Sequence, residues 1–272
     1  WLSSRGLGDV YKRQVCNTIH ELNFGSHEAS FYGKVNDDEY GNAFVQDLQK
    51  ENISFKGVSN KTDLPTGCCN ILVSPDGERT MATHIGIGSQ LNPDEVNEDI
   101  LNSIDHVYME SYLWDHELTK KTLKKFSDIA KSKNIEISLS LSDPFCVDRH
   151  RDELKNFITD NVDLVFCNFD EAKMFTQSDS MADVSSFFKN FGKKIVMTSG
   201  AEGAYYFFED DVKHQSAQKI ENVLDTTGAG DNFAAGFLDF YLSGKPVDEA
   251  LKNGNRKAEE VIQQLGPRIK RA

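Results

Sequence analysis

What the chain lacks already narrows its class. No apolar run approaches the ~20 residues that cross a bilayer, and no secretory leader pattern is recognised, so a membrane role is not expected. Basic residues are outnumbered, with 30 Lys and Arg against 43 Asp and Glu and a formal net charge of −13. Nucleic acid is bound through clustered Lys and Arg that neutralise phosphates, so no nucleic-acid partner is expected either. The five cysteines, Cys16, Cys68, Cys69, Cys146 and Cys167, are odd in number and form no C-x-x-C pair. They predict neither a disulfide framework nor a zinc site, and the expected compartment is the cytoplasm. There is no G-x-x-x-x-G-K-[ST] loop, and Gly86-Ile87-Gly88 lacks the third glycine of a dinucleotide fingerprint. Repeats, low-complexity stretches and Pro- or Ser-rich linkers are also missing.

What is present is an ordinary globular mixture: 272 residues, 39% hydrophobic and 27% charged, enough for one large α/β domain or two small ones. The first fourteen residues, WLSSRGLGDVYKRQ, carry no periodicity that continues into the rest of the chain. Residues 1–14 are read as a non-native, fusion-like segment, the other reading being a flexible native tail, and 15–272 as the domain proper. From Val15 the pattern alternates. Val15, Ile19 and Leu22 sit at helical spacing; Ala29 to Val35 reads as a strand; Asp37 to Gly41 opens a helix through Phe44 and Leu48. Asn70 to Ser74 and Arg79 to His84 flank Pro75-Asp76-Gly77-Glu78, a hairpin signal. Beyond it, strands are expected at His106 to Met109, Ile135 to Leu141, Val162 to Cys167 and Lys194 to Thr198. A second hairpin is expected at Ala204 to Phe208 and Val212 to Gln215. Helices are expected at about Asp115 to Lys131, Arg151 to Phe157, Asp170 to Phe175, Asn232 to Leu242 and Val247 to Leu265. Such alternation predicts a doubly wound, mostly parallel sheet between helices, with the early hairpin as a small β lid.

The stretch DTTGAGDNFAAGF, Asp225 to Phe237, carries the most chemistry. Gly228-Ala229-Gly230 is a turn with little side-chain cover at the start of an apolar helix, where free N–H groups and the helix dipole attract anions. Asp231 stands at the junction, where the same field favours an ionised carboxylate. A carboxylate beside an anion nest suits phosphoryl transfer: it accepts the proton of an attacking hydroxyl while the amides stabilise the phosphoryl charge. The same residues also suit a plain helix cap.

The whole stretch resembles the C-terminal signature of the ribokinase-like (PfkB) sugar and nucleoside kinases. The resemblance implies a three-layer αβα fold with a β lid, Asp231 as catalytic base, and the amides of Gly228, Ala229 and Gly230 as anion hole. Asn168-Phe169-Asp170-Glu171 is similar to the family's N-x-x-E element, which implies ATP and Mg2+ organised by Asn168 and Glu171; first-turn helix stabilisation is the other reading of Glu171. Thr198-Ser199-Gly200-Ala201-Glu202-Gly203 resembles the family's T-x-G-x-x-G loop. Thr198, Gly200 and Gly203 would then lie along the nucleotide, or would make an ordinary turn. Asn255 falls where the family often meets adenine, or is a solvated helix residue. Asp225 and Thr227 fall where some members hold K+, largely through carbonyl oxygens. Asn17 matches the end of a G-G-x-x-x-N substrate element, and Gly33-Lys34-Val35 with Asp37, Asp38 and Gly41 resembles G-K-V-G-x-D-x-x-G with Asn36 in place of a glycine. The lid strands would be roughly 29–35 and 66–85. The family's first strand has no counterpart, which implies an N-terminal truncation.

The segments DGERTM, Tyr108 to Leu113, and Leu141 to Phe145 followed by Arg149 look most like the adenosine-kinase-like branch. That implies a nucleoside, with a free sugar as the alternative, and a hydroxymethyl acceptor in either case. Phe31, Tyr32 and Tyr112 would stack a base or would be core, and Asp143 would edge the cleft or start a turn. Family lids that pair between subunits imply a homodimer. Two other readings stand beside the kinase. One is a truncated fragment that binds nucleotide without turnover; the other is a sensor reusing the fold.

Overall fold

The structure, a computed structural model, describes residues 14–73 and 79–271. Residues Trp1 to Arg13 of the foreign-looking segment and the Pro75-Asp76-Gly77-Glu78 turn lie outside the described residues.

The chain opens with α1 (Gln14–Asn23). Short strands β1 (Ser30–Phe31) and β2 (Lys34–Asn36) follow, then α2 (Glu39–Lys50), β3 (Ser54–Phe55) and β4 (Val58–Asn60). The single strand expected over Ala29 to Val35 is thus two. β1 pairs parallel with β3, and β2 pairs parallel with β4. β5 (Cys68–Val73) and β6 (Arg79–His84) form the expected antiparallel hairpin. Asn36, which stands where the family motif has glycine, is buried and held by hydrogen bonds: its side chain donates to the carbonyls of Thr62 and Leu64 and accepts from the Thr62 amide. Asp38 caps α2 by accepting from the Gly41 amide, and it also accepts from the amide and hydroxyl of Thr66. Three 3-10 turns then lead to the main sheet.

That sheet contains β7 (His106–Glu110), β8 (Glu136–Ser140), β9 (Leu164–Asn168), β10 (Lys194–Thr198), β11 (Ala204–Phe208) and β12 (Asp211–Gln215), in the order β12-β11-β10-β9-β8-β7. β7 to β10 run parallel, and the last three strands are antiparallel. The crossovers are α3 (Glu117–Ser132), α4 (Pro144–Asn161), and the pair α5 (Phe169–Thr176) and α6 (Met181–Phe191). The chain ends with α7 (Ala229–Leu242) and α8 (Val247–Val261). The central strands are buried on both faces, as parallel strands between helices must be: Ile137, Leu139, Leu164 and Ile195 are fully buried, each worth roughly 1.5–3 kcal/mol on transfer from water. One face packs on α3 to α6 with Phe157, Phe175 and Phe188; the other packs on α7 and α8 with Phe233, Phe237 and Leu251.

Besides the split strand, the structure departs from the sequence reading in two places. α4 begins at Pro144 rather than Arg151, because Asp143 caps it and Pro144 occupies its first turn. α6 has no counterpart among the expected helices; it is capped by Ser180 and buries Val184 and Phe188. Among the described strands β7 pairs on one side only, with β8. Beyond its other side lies a cavity of about 560 Å³, lined by residues that include Ile19, Leu22, Tyr108, Phe126 and Leu242.

Candidate active site

Strands β7 to β10 end together, and in a parallel sheet that carboxyl edge is where ligands bind. β9 ends at Asn168, which caps α5. Its side chain accepts from the Glu171 amide at 2.8 Å, and the Glu171 carboxylate accepts in return from the amide and side-chain N–H of Asn168 at 2.9 and 2.8 Å. This reciprocal capping box leaves Glu171 only 6% exposed. The N-x-x-E pair is therefore a built unit, and the helix-stabilising reading of Glu171 is part of what the structure shows.

β10 ends at Thr198 and runs into a 3-10 turn over Gly200–Glu202. Gly203, at φ +99°, closes it; a Cβ there would lie 2.1 Å from the Gln215 carbonyl. Asn255, in α8, donates to that same carbonyl at 2.9 Å and is 6% exposed. Asn255 is thus not a solvated helix residue. It ties α8 to the end of β12 directly beside the glycine turn.

The turn before α7 is shaped by its surroundings. Gly228 has φ +77°, and a Cβ on it would lie 2.6 Å from the Pro267 carbonyl, so both backbone and packing require glycine. Gly230 differs: a Cβ there would meet nothing within 4 Å. The Asn232 side chain clamps the turn by donating to the carbonyls of Gly228 and Pro267 at 2.7 and 2.8 Å. Of the three amides expected to form the anion hole, that of Ala229 is engaged by the Thr226 carbonyl at 3.2 Å. This bond closes the turn. Asp225 belongs to the same construction. One carboxylate oxygen accepts from the Thr227 amide and hydroxyl at 2.9 and 2.6 Å, and the other accepts from the Gly266 amide at 3.0 Å. The side chains of Asp225 and Thr227 therefore hold the loop. No group of three or more His, Cys, Asp or Glu placed to hold a metal occurs among the described residues.

Asp231 lies in the first turn of α7. Asn17, from α1 and 214 positions away in sequence, donates to its Oδ2 at 2.8 Å. Asn17 is 7% exposed, and its Oδ1 has no hydrogen-bond partner among the described residues. A buried amide with an unused acceptor beside a carboxylate is what a ligand hydroxyl would satisfy. Sequence reasoning missed three neighbours. Tyr108 lies beside Ser140, Thr18 and Asp231, and burial first, then the Asp231 charge, pushes its hydroxyl well above the usual tyrosine range. Periodicity marks Tyr108 only as one more strand residue.

Other expectations resolve toward packing. Phe31 packs edge-on against Phe44 and stacks on Phe55; Tyr32 packs on Phe126 and donates to the Glu95 carbonyl; Tyr112 is 5% exposed and donates to Asp143. All three residues have packing partners, and all three also line the cavity beside β7. Asp143 is the α4 cap, accepting from the Phe145 amide at 2.8 Å, and it follows Ser142 in left-handed backbone at φ +65°. Arg149 is held on Asp115.

A parallel α/β sheet with a glycine turn and a carboxylate at the N-terminus of a late helix defines a class of small-molecule kinases, and comparison with known proteins agrees. Residues 15–271 match the pfkB family carbohydrate kinase domain, and the chain belongs to that family. It is similar to the adenosine kinase of Sinorhizobium meliloti, with 34% identity, a TM-score of 0.87, and 94% of this chain and 78% of that chain covered. It is similar to a probable sugar kinase of Rhizobium etli at 33% identity and TM-score 0.88, with the same coverage. A putative ribokinase II of E. coli, solved in complex with ATP and Mg2+, shares the fold at 20% identity and TM-score 0.84, over 93% of this chain and 83% of that one. The protein is an ATP-dependent kinase of sugars or nucleosides, with a ribokinase-like fold.

Proposed function

We propose that this kinase transfers the γ-phosphoryl group of ATP to a hydroxymethyl group of an adenosine-like nucleoside, with Asp231 as the base. The observation that carries this reading is the 2.8 Å contact between Asp231 and buried Asn17, whose other amide atom is unused, at the mouth of the glycine turn. Asn17 orients the acceptor hydroxyl with its free Oδ1 and holds Asp231 with its N–H. Asp231 takes the hydroxyl proton as the oxygen forms its bond to the γ-phosphorus and the bond to the β-phosphate oxygen breaks, releasing ADP. The Gly228 and Gly230 amides and the dipole of α7 face the charge that develops on the transferring group. Asn168 and Glu171 would hold Mg2+ through water, because their oxygens already accept N–H bonds and a cation that keeps its waters suits them; a cation held there would neutralise phosphate charge. Thr198, Gly200, Gly203 and Asn255 would line the nucleotide, and the carbonyls around Asp225 and Thr227 would take K+. Five free cysteines suit a reducing cytoplasm, and no helix among the described residues is long and apolar enough to cross a membrane. The domain reading is one kinase domain over 15–272, lid strands near 29–35 and 66–85, with a homodimer formed through that lid.

A sugar acceptor is the second reading. It is supported by the packing of Phe31 on Phe44 and Phe55 and of Tyr32 on Phe126, which limits how far those rings can turn toward a base. ADP release from Mg-ATP with adenosine, other nucleosides, ribose and fructose separates the two. Nucleoside-dependent release supports the first reading, ribose- or fructose-dependent release the second. ATP binding with no release for any acceptor would sink both in favour of a non-catalytic nucleotide binder.

A further inference from the structure

The segment 266–271 touches, in order, the glycine turn, α2 and α1. The Gly266 amide donates to Asp225. The Pro267 carbonyl accepts from Asn232 and abuts Gly228. Arg268 donates to Asp47 of α2 at 2.8 Å and to the Cys16 sulfur of α1 at 3.4 Å. Arg271 grips both carboxylate oxygens of Glu21 of α1, at 2.7 and 2.8 Å, and its guanidinium lies 3.6 Å over the Phe24 ring. Glu21 is a buried carboxylate with a side chain only 2% exposed, and Lys257 of α8 also binds it. A buried acid of this kind stays in place only while its cations hold it. It lies one helical turn beyond Asn17, on the helix whose placement sets the Asn17 contact with Asp231.

We infer that the C-terminal segment 266–271 is a strap that positions α1 against the glycine turn, with Arg271 as a positioning residue for the Asn17–Asp231 pair. The inference deepens the proposed site and rests on Asp231 being its base. The strap works by geometry: it touches the turn at one end and α1 at the other, so loosening one end moves Asn17 relative to Asp231. Arg271 suits the task because its planar fork matches a carboxylate and its face stacks on an aromatic ring, neither of which lysine reproduces in full.

The test uses the full chain with Arg271→Ala, Arg271→Lys and Glu21→Gln. Hydrogen exchange should rise in peptides covering 14–23 and 225–236 in Arg271→Ala, while peptides over β9, β10 and α5 keep wild-type protection; Arg271→Lys should fall between. With Mg-ATP and adenosine, kcat/KM for adenosine should drop on the order of tenfold to a hundredfold, as for a catalytic pair displaced by an ångström or less. KM for ATP should stay unchanged. Glu21→Gln combined with Arg271→Ala should cost little more than either alone. Exchange unchanged at 14–23, or raised equally across β9, β10 and α5, overturns the strap and leaves a general stabilising role. The exchange result stands without turnover, whereas failure of the base reading appears separately, as an Asp231→Asn variant that still releases ADP.

Discussion

The two ends of the main sheet treat their polar groups in opposite ways. At the amino ends of the strands, Glu136 accepts from Lys194 at 3.0 Å and from Tyr241 at 2.6 Å, Lys194 also donates to Tyr241 at 2.6 Å, and His106 bonds Ser138 at 2.8 Å. At the carboxyl ends and the adjoining turn, Asn17 and Asn232 are buried, each with a carbonyl oxygen unused by the described residues. Gly200 and Gly230 there face open space, and Ser142 holds left-handed backbone. His106 Nδ1 at the amino end is also without a hydrogen bond among the described residues, so the contrast rests on place: the two buried amides lie beside Asp231 and the glycine turn, where a ligand would complete them. The first end is tied together by side-chain bonds; the second holds the proposed site. Substitutions should therefore divide into two kinds, one felt in turnover and the other in stability.

The sharpest break in that contrast is Asp231→Asn. It keeps the side-chain shape and an acceptor for Asn17, but it removes the base. Turnover of Mg-ATP with the acceptor that the wild type uses should fall on the order of a hundredfold to ten-thousandfold, with a thermal midpoint at or above wild type. A variant that loses folding instead would move Asp231 to the structural group. The glycines of the same turn offer a finer division. Gly230→Ala should leave stability within about 0.5 kcal/mol, since a Cβ there touches nothing, yet lower kcat on the order of tenfold to a hundredfold if its amide and its bare surface serve the phosphoryl group. Gly228→Ala should instead cost about 1–3 kcal/mol of stability, because φ is +77° and the Pro267 backbone stands in the way. Urea melts beside initial rates check both.

Legibility in the sequence divides along the same line. The parallel core is legible, because fully buried strands such as Val162 to Cys167 read as apolar runs and because Gly228-Ala229-Gly230-Asp231 sits directly before an apolar helix. Asn17 beside Asp231 is indicated only by family resemblance; no local pattern links positions 214 apart. The Asn255 tether to Gln215 and the grip of the strap on Glu21 are illegible for the same reason: each pairs a helix residue with a distant segment, and periodicity carries no information on long-range partners. α6 escapes the sequence reading although Val184, Phe187, Phe188 and Phe191 follow helical spacing, since its aromatic residues are weak helix formers and tertiary burial outweighs their propensity. The single strand expected over Ala29 to Val35 is broken in two at a turn where Gly33 and Gly57 approach each other closely.

Stability at the amino edge should depend on pH. Burial alone would raise the Glu136 carboxyl, but the nearby His106 ring, hydrogen bonds from Tyr241 and Lys194 and the lysine charge outweigh it and bring it down to about 2. A carboxyl depressed on folding contributes stability that is complete above its ordinary value of 4.5 and is lost as pH falls through about 2. Glu136→Gln should therefore lower stability at pH 7 by roughly 2 kcal/mol and flatten the acid limb of the stability profile, with kcat little changed. A loss of kcat without loss of stability would break the division between the two ends.

The smallest effect concerns the strap, which lies between the two groups. His20, on α1 one turn from Asn17, is buried, and burial followed by the charges of Arg268 and Arg271 brings its ring down from 6.5 to about 4. The unfolded chain binds a proton through that interval and the folded chain does not, so the stability attached to neutral His20 is complete above pH 6.5 and is lost as pH falls toward 4. Replacing His20 by Gln should remove about 1–2 kcal/mol of that pH dependence between pH 6.5 and 4, measured as the difference between urea midpoints at the two pH values. In an Arg271→Ala background the His20-dependent slope should shrink, because one of the charges that repels the proton is gone. A slope that ignores Arg271 would mean that burial alone governs His20, and that the strap does not reach this part of α1 electrostatically.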